Sequence, residues 1–317
     1  KELISIISPL YGGTFLDCTF GQGGYSKKIL EKKINKVIAI DRDQEVNLYA
    51  KELKKRYKNR FSFHNIKFSE INSISLKSKD LRGIIFDLGY SSNQIKDLSR
   101  GFSFKSKGKL NMMMGINNFS CHEVISSMSE ENLNKIFKYF GEEKFSKKIA
   151  RRIVDARKTK NINTEDLSRI VNNVKKFQNY KINNSTKIFQ ALRIYVNKEI
   201  SELINGLINA FNLLPVGGII VVVSFHSIED KIVKFFFKNY SEIKNSSRYI
   251  PSKLNKIKCF NLINKKPIIP NKTELRINPP SRSAKLRYAI KTNNETNFEE
   301  FFRKFKKLTD IEELKFD

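Results

Sequence analysis

The sequence predicts an α/β protein in which a doubly wound parallel sheet carries an inserted helical domain. Two observations predict this class. Short apolar segments alternate with segments of helical spacing over residues 1–104 and again from 187 onward, whereas 105–186 shows helical spacing without a convincing core strand. Because parallel neighbours must be joined by right-handed crossovers, the alternation indicates a parallel sheet.

The individual elements follow from apolar runs and from the spacing of apolar side chains. Strands are predicted at 14–20, 36–43, 61–68, 81–92, 219–225 and 283–291, and helices at 25–33, 45–57, 187–214 and 227–240. The Lys/Asn/Ser-rich stretch 241–281 is predicted to be a long loop. The domains are therefore 1–104, the insertion 105–186, and 187–317 with a C-terminal tail.

The charge balance predicts a polyanionic partner. Sixty Lys and Arg stand against 32 Asp and Glu, which gives a net charge of +28 and a pI near 9.9. Each phosphate that a lysine or arginine neutralises releases counterions, so nucleic acid is favoured. A lysine-rich surface that only keeps the protein solvated is the alternative. No apolar run approaches the roughly 20 residues that cross a bilayer, so no membrane association is expected.

Cysteines and histidines are few and widely separated. None of them has the spacing of a zinc site or of a disulfide framework, so no metal cofactor is expected. This usage is typical of a reducing compartment, and we expect a cytoplasmic protein, or one of an organelle matrix in a eukaryote. The residues concerned are Cys18, Cys121, Cys259, His64, His122 and His226.

A glycine loop follows the first predicted strand and opens the first crossover helix. In doubly wound folds this position holds an adenosine-containing cofactor. Gly21, Gly23 and Gly24 are present, but Ser26 occupies the position of the third glycine in the dinucleotide fingerprint. Binding of NAD is therefore less favoured. A packing turn without any ligand is the alternative.

Two acids refine the prediction for this loop. Asp41 ends the second strand, twenty residues beyond Gly21, where a carboxylate accepts hydrogen bonds from a ribose diol. Asp17 precedes the loop, and a carboxylate there repels a pyrophosphate but attracts a sulfonium and an α-amino group. The predicted cofactor is therefore S-adenosylmethionine, which contains no phosphate.

Asp87 ends the fourth predicted strand, beside the crevice where a substrate would enter. A carboxylate there would accept a hydrogen bond from an exocyclic amine and orient its lone pair for attack on a methyl group. A strand-end aspartate that caps a turn is the alternative.

Seven ordered blocks resemble the signatures of a known family. They are DCTFGQGGYS, AIDRD, FDLGYSSNQ with RGFSF, YFGEEKFSKKIARRI, FQALRIYVNKE, SFHSIEDKIVK and NPPSRSAKLR, within residues 1–290. They are similar to those of the MraW/RsmH family, which methylates N4 of a cytidine in the decoding region of small-subunit ribosomal RNA. The resemblance implies a class-I methyltransferase with a Rossmann-like fold, S-adenosylmethionine as cofactor, and a small-subunit (30S-type) particle or its RNA as partner. A homodimer is one expected assembly.

Carried over by position, the resemblance assigns cofactor contacts and reacting groups. Asp87 is expected to be catalytic as well as cofactor-binding. His226 ends the fifth strand and would contact the base or accept a proton, although a strand-end histidine is equally often structural. Ser224, Glu229 and Asp230 are weaker candidates. The expected cofactor-binding residues are Gly23, Gly24, Tyr25, Asp41, Phe68, Asp87 and Gln94.

Basic residues are the expected contacts to RNA phosphates. We expect such contacts from 281–287 and from Arg151, Arg152 and Arg157 in the insertion, and a solvated helix face explains the three arginines almost as well.

This chain departs from the family pattern at three places. Tyr25 stands where the family usually has histidine, and Asn111 and Met113 replace an acid and an arginine. The family's His-x-Pro-Val-Leu start is absent, so we expect a truncated N-terminus. The departures at Asn111 and Met113 leave a catalytically silent RNA-binding or ribosome-assembly factor as an alternative function. A nucleotide-dependent oxidoreductase is a second alternative, for which the glycine loop lacks the third glycine.

Overall fold

A computed structural model of the chain describes residues 2–75, 78–103, 108–175, 183–241 and 258–316. The chain folds into two compact units. The first unit comprises Lys1–Gly89 and Glu202–Lys304, and the second comprises Tyr90–Ser201 and Phe305–Asp317. The predicted insertion, 105–186, lies within the second unit, and its boundary at residue 105 lies outside the described residues.

The first unit contains one seven-stranded sheet with the order β3-β2-β1-β4-β5-β7-β6. The strands are β1 Thr14–Asp17, β2 Lys36–Ile40, β3 Phe61–His64, β4 Leu81–Asp87, β5 Ile219–Ser224, β6 Phe260–Asn261 and β7 Lys285–Lys291. Within the group β1 to β5, every pair of adjacent strands is parallel. The direction in which the sheet is built along the chain reverses between β1 and β4. The predicted doubly wound α/β fold is therefore confirmed.

The described helices are distributed over both units, and the unit boundaries fall inside two of them. The helices are α1 Glu2–Ile7, α2 Gly24–Leu30, α3 Asn47–Tyr57, α4 Ser92–Lys96, α5 Cys121–Ser127, α6 Glu130–Phe140, α7 Ser146–Arg157, α8 Thr164–Val174, α9 Thr186–Asn197, α10 Glu199–Leu213, α11 Ser227–Asn239, α12 Lys272–Ile277 and α13 Glu299–Glu312. None of them combines the length and the apolar composition that a bilayer span needs.

Apolar side chains on both faces hold the central strands inside the first unit. All six residues of β5 are buried, which is the pattern of a parallel strand covered on both sides. One face packs into a cluster that includes Phe15, Ile85 and Val221. This burial fixes the carboxyl ends of β1, β2 and β4 at a common edge.

The predicted last strand, 283–291, is present as β7 and, unlike the first five strands, is antiparallel to its neighbours. β7 pairs antiparallel with β5, with Lys285 opposite Ser224, and β6 pairs antiparallel with β7. β7 follows α12 and a short 3-10 turn at Pro279–Ser283, so it enters the sheet from the edge where β5 ends.

The single helix predicted at 187–214 is wrong, because the chain breaks at Lys198. Lys198 has φ +50°, a left-handed conformation that ends α9. Within the second unit, Glu312 accepts hydrogen bonds from the N–H groups of Ile200 (2.7 Å) and Ser201 (2.8 Å) and so caps the start of α10.

Two further predictions are corrected by local geometry. The third strand ends at His64 rather than at Phe68, where a 3-10 turn begins. The predicted loop 241–281 contains β6 and α12, while residues 242–257 lie outside the described part of the chain.

The second unit is a helical assembly in its described residues. Helix α6 packs against α7 and α9, α7 packs against α8, and α5 packs against α7 and α9. Leu133, Phe137 and Phe140 of α6 are fully buried, as are Ile149 and Ile153 of α7. Their spacing of three and four residues places each set on one helix face.

Candidate cofactor and active site

The glycine loop connects β1 to α2 through two left-handed residues. Gly21 has φ +52° and Gly23 has φ +75°, which glycine adopts without strain. A Cβ at Gly23 would lie 2.8 Å from the Phe20 ring, so the chain itself requires this glycine. A Cβ at Gly21 or Gly24 would meet nothing within 4 Å. The backbone therefore faces open space at these two positions.

Asp17 ties the end of β1 to the first turn of α2. It is buried, it accepts a hydrogen bond from Ser26 Oγ at 2.6 Å, and it accepts another from the N–H of Thr19 at 3.3 Å. Ser26 thus has a partner that a third glycine would lack, which explains the departure from the dinucleotide fingerprint. Burial raises the pKa of Asp17, while these hydrogen bonds oppose the shift.

Asp41 holds the glycine loop against the end of β2. Its Oδ2 accepts the N–H of Gly21 at 2.8 Å, and its Oδ1 accepts the N–H of Asp43 at 2.9 Å. The carboxyl is enclosed, and this burial raises the pKa of Asp41 to about 6. Each oxygen retains a second lone pair that a ribose hydroxyl would use.

Asp87 has a buried carboxyl oxygen, Oδ1, that lacks a hydrogen-bond partner among the described residues. Its backbone N–H donates to Thr19 Oγ1 at 2.7 Å. Burial raises the pKa of Asp87 to about 7, and the charges of Asp17 and Glu229 add to the shift. An enclosed carboxyl oxygen without a partner is costly for the fold alone.

Tyr25 brings its phenol near the same acids. Burial raises the pKa of Tyr25, followed by the charges of Asp87, Asp17, Glu274 and Glu2. The last two belong to α12 and α1, so these helices also contribute negative charge near the loop. Neither acid was among the residues predicted from sequence, because nothing in the local pattern of α1 or α12 indicates proximity to β4.

Phe68 packs on the face of the sheet that α10 covers. Its ring meets Phe86 edge-on, with centroids 5.5 Å apart and planes at 88°. A Cβ on Gly206 of α10 would lie 2.5 Å from this ring, so glycine makes room for it. Phe68 is half-buried, and its predicted contact with adenine stays a prediction.

His226 is held by the first turn of α11. Its Nδ1 accepts the N–H of Glu229 at 3.4 Å, its Nε2 lies 3.1 Å from Glu229 Oε1, and Glu229 Oε2 accepts the N–H of Phe225 at 2.8 Å. The side chain is only 8% exposed. This reciprocal cap favours the structural alternative, and a catalytic role for His226 stays a prediction.

Comparison with known proteins agrees with this geometry. The model of the MraW methylase family matches residues 1–292. The chain belongs to this family. It is 44% identical over 296 residues to the ribosomal RNA small subunit methyltransferase H of Ehrlichia canis, covering 92% of this chain and 97% of that protein. The protein of the same name from Rickettsia akari is 42% identical over 295 residues, covering 92% and 96%.

The family membership confirms the resemblance that the seven sequence blocks indicated. The residues assigned through that resemblance fall into both units. Gly23, Gly24, Tyr25 and Asp41 lie in the first unit, as do Phe68 in the turn after β3, Asp87 at the end of β4 and His226 after β5.

Gln94 belongs to the second unit, in α4. Its Oε1 accepts the N–H of Ser91 at 2.9 Å, and its own N–H donates to Ser91 Oγ at 3.3 Å. This reciprocal pair stabilises the turn into α4, and the cofactor contact of Gln94 stays a prediction.

The departures at Asn111 and Met113 lie in an ordered segment of the second unit. Asn111 Oδ1 accepts the N–H of Met113 at 3.2 Å, and Met112 is buried with φ +58°. Asn197 fixes this segment by accepting the N–H of Met114 and donating to the carbonyl of Met112, both at 2.8 Å. The replaced positions therefore lie in a defined backbone conformation.

The predicted phosphate-binding cations do not form one class. Arg157 donates to the carbonyls of Ile125 (3.0 Å) and Met128 (2.6 Å) at the end of α5, so its guanidinium has a structural role. Arg151 and Arg152 are exposed. Contacts of these two with RNA stay a prediction.

In the block 281–287, two cations bind one acid. Arg287 and Lys285 donate to Asp230 at 2.7 and 2.9 Å. Although burial alone would raise the pKa of Asp230, hydrogen bonds from Arg287 and Lys285 lower it. Asp230 was a weaker candidate for the active site, and its carboxylate is instead occupied by these cations.

Proposed function

We propose that this chain is an S-adenosylmethionine-dependent methyltransferase that acts on the exocyclic N4 amine of a cytidine in the decoding region of small-subunit ribosomal RNA. The names of its relatives support the RNA and the reaction class. The chain would act on the small subunit or its RNA, in the cytoplasm or in an organelle matrix.

The observation that carries the proposal is a cluster of acidic groups whose pKa values are shifted by no cation among the described residues. Every charged group that shifts the pKa of Asp41, Asp87 or Tyr25 is itself an acid. Such a site attracts a cationic ligand and repels a diphosphate. S-adenosylmethionine carries a sulfonium and an ammonium group, whereas NAD carries a pyrophosphate. The oxidoreductase alternative is therefore disfavoured.

The residues of the site fit this cofactor in several respects. The open space over Gly21 and Gly24 would admit a ligand against the main chain. Asp41 would accept hydrogen bonds from the ribose through its remaining lone pairs. The N–H groups of Gly24 and Tyr25 at the start of α2 have no partners within the helix and would bind the cofactor carboxylate, whereas the N–H groups of Ser26 and Lys27 are hydrogen-bonded to Asp17 and to the Gly23 carbonyl. Bound there, the cofactor supplies an electrophilic methyl group on sulfur.

Asp87 would act on the acceptor amine. Its unpartnered Oδ1 would accept a hydrogen bond from N4 and so orient the nitrogen lone pair. A carboxyl with a pKa of about 7 is also suited to hold the proton that N4 loses after it is methylated. Asp87 would thus serve the reaction before and after bond formation.

The cytidine must leave its stack before its amine reaches Asp87. A paired or stacked base hides the exocyclic nitrogen, and enzymes of this kind bind it unstacked. We assign to the basic surface of the chain the role of binding the flanking phosphates. The helical second unit would contribute to this binding.

The test uses small subunits purified from cells that lack the modification. The subunits are incubated with the protein and with S-adenosylmethionine that is labelled on its methyl group. The RNA is then digested to nucleosides, and their masses are measured by mass spectrometry. The proposal requires labelled N4-methylcytidine at one position of the RNA. RNA binding without any labelled nucleoside would instead support the silent assembly factor, and a thermal shift with NAD but not with S-adenosylmethionine would support the oxidoreductase.

A further inference from the structure

A second charged site lies in the first unit, where α11, β7 and the 262–265 loop meet. A cavity of about 180 Å³ is lined there by four cationic residues and two apolar ones: Lys234, Lys238, Lys265, Arg287, Phe237 and Leu262. No acid is among these lining residues. The cavity is therefore the electrostatic opposite of the acidic cofactor site.

Arg287 is the fixed cation of this cavity. Its side chain is 8% exposed, Nε donates to Asp230 at 2.7 Å, and one terminal nitrogen donates to the carbonyl of Lys265 at 3.4 Å. Asp230 also binds Lys285, so one carboxylate balances two cations. A positive charge is left over at this wall, on a side chain that is already ordered.

The lysines supply the remaining charge from two separate elements. Lys234 and Lys238 are four residues apart on α11 and so project from one helix face, and both are exposed. Lys265 is exposed on the facing loop. Among the described residues, Lys234 and Lys265 have no acidic partner within ion-pair distance. Their charges are therefore available to a ligand.

The loop that forms one wall is pinned to the sheet. Ile268 and Leu286 exchange two backbone hydrogen bonds of 2.9 Å. Three residues before Ile268, the carbonyl of Lys265 accepts the hydrogen bond from Arg287. On the other side, Phe237 is fully buried beneath the lysines of α11. The cavity is thus built from fixed backbone rather than from exposed side chains alone.

The cavity favours a phosphate. Its volume of about 180 Å³ exceeds the roughly 150 Å³ that admits a benzene molecule, so a phosphate group fits. Lysine and arginine donors around a compact site are the usual partners of phosphate oxygens. Resting on the proposed function, we infer that this cavity binds a backbone phosphate of the substrate RNA, at a position removed from the methylated base.

The strand β7 favours RNA over a free anion as the source of that phosphate. Lys285 begins β7 and pairs with Ser224 at the end of β5. His226 lies two residues beyond Ser224, at the edge of the sheet where the acidic groups lie. The cavity residue Arg287 lies two residues beyond Lys285 on β7. A polynucleotide that presents a base near Asp87 would therefore pass a basic strand on the same sheet.

The test removes two cavity lysines in the full chain by the double substitution Lys234→Ala and Lys265→Ala. Both side chains are exposed, so the fold is expected to be retained, and thermal melting checks this. The matched control is Lys51→Ala with Lys55→Ala, which removes two exposed lysines from α3, beside β3 at the opposite edge of the sheet. Affinity is measured for an unmodified small-subunit RNA fragment over a series of salt concentrations.

We expect the cavity variant to bind RNA more weakly and with a shallower salt dependence. Losing the contact with the cavity phosphate lowers the slope of log K against log salt by about one, so the deficit relative to wild type shrinks roughly three- to fourfold between about 50 and about 200 mM salt. The affinity for S-adenosylmethionine stays unchanged, and methyl transfer shows a raised KM with kcat retained. The control variant keeps the wild-type slope.

Other outcomes overturn the inference. The inference is wrong if the salt dependence of RNA affinity has the same slope in the cavity variant, the control variant and wild type, even if methyl transfer is observed. Loss of binding to inorganic phosphate, or to phosphatidylserine vesicles, with RNA affinity intact would identify a free-anion or membrane site instead. Because RNA binding is measured without cofactor, failure of the cavity and failure of the proposed methylation remain distinguishable.

Discussion

Asp87 and Asp230 lie near the same edge of one sheet, yet their pKa values shift in opposite directions. Asp87 ends β4, and Asp230 lies in the first turn of the helix that follows β5. Burial and neighbouring acids raise the pKa of Asp87 to about 7, whereas Arg287 and Lys285 lower the pKa of Asp230 despite its burial. Asp230 is satisfied by the fold. Asp87 keeps a buried oxygen without a partner, which a ligand in the site would satisfy.

Replacing Asp87 by asparagine is expected to have the largest effect on activity. The substitution keeps the shape but removes both the charge and the proton acceptor, so methyl transfer should fall by roughly a thousandfold. Unfolding free energy at neutral pH should not decrease, because a buried like-charge interaction is removed. Methyl transfer to unmodified small subunits and chemical denaturation measure the two quantities.

Two further variants sharpen this test. Asp87→Ala and Asp41→Ala should each abolish S-adenosylmethionine binding by calorimetry while the protein stays folded. Unchanged cofactor affinity in both variants would contradict the assignment of the acidic site.

The variant Asp230→Asn should show the opposite behaviour. Arg287 would lose its charged partner while 8% exposed, which costs about 3 kcal/mol of unfolding free energy. Methyl transfer per folded molecule should stay near the wild-type value at saturating RNA. Urea denaturation measures the first effect, and an unchanged midpoint would show that the ion pair does not stabilise the fold.

The pH dependence of cofactor affinity is expected to be a smaller effect. Asp87 titrates near pH 7 when folded, against an ordinary value of 3.8, so its negative charge develops as the pH rises through 7. Affinity for the cationic cofactor should therefore increase roughly tenfold between about pH 6 and pH 8. Calorimetry with S-adenosylmethionine measures this change.

The stability of the free protein is expected to change with pH in the direction opposite to the cofactor affinity. The raised pKa means that the folded state retains a proton that the unfolded chain releases, so stability of the free protein falls as the pH rises from about 4 to about 7. Asp87→Asn is the control for both slopes. A wild-type affinity that is flat over this range would contradict the placement of Asp87 beside the cofactor.

The smallest effect is expected at His226. Asparagine retains an N-cap acceptor, so His226→Asn should cost less than about 1 kcal/mol of unfolding free energy. If the imidazole only caps α11, kcat and its pH profile will match wild type. A loss of kcat with unchanged melting temperature would show that His226 has a catalytic role.

Much of the sheet could be predicted because the signals are local. The apolar runs at β1, β2, β4 and β5 predicted the parallel strands, and glycines followed by an acid twenty residues later marked the loop and Asp41. The ends of these strands meet at one edge through topology alone, so placing Asp87 near the loop required only the strand order.

The break between α9 and α10, which the sequence did not predict, depends on a contact between segments that are distant in the chain. Helical spacing continues through Lys198, and the break depends on Glu312, which caps α10 from more than a hundred residues away. Burial raises the pKa of Glu312 to about 8, a cost that no local pattern of α13 reveals.

The fold class, the glycine loop after β1 and the family could be read from the amino-acid sequence, because backbone preferences and apolar periodicity act over a few residues. Which acids are neutralised depends on contacts that form when the chain folds. Asp230 binds Arg287 of β7, while the charged groups that shift the pKa of Asp87 are, among the described residues, the acids Asp17 and Glu229. Charge interactions depend on separation in space, and burial strengthens them, so similar aspartates acquire different chemistry from neighbours that the linear order does not reveal.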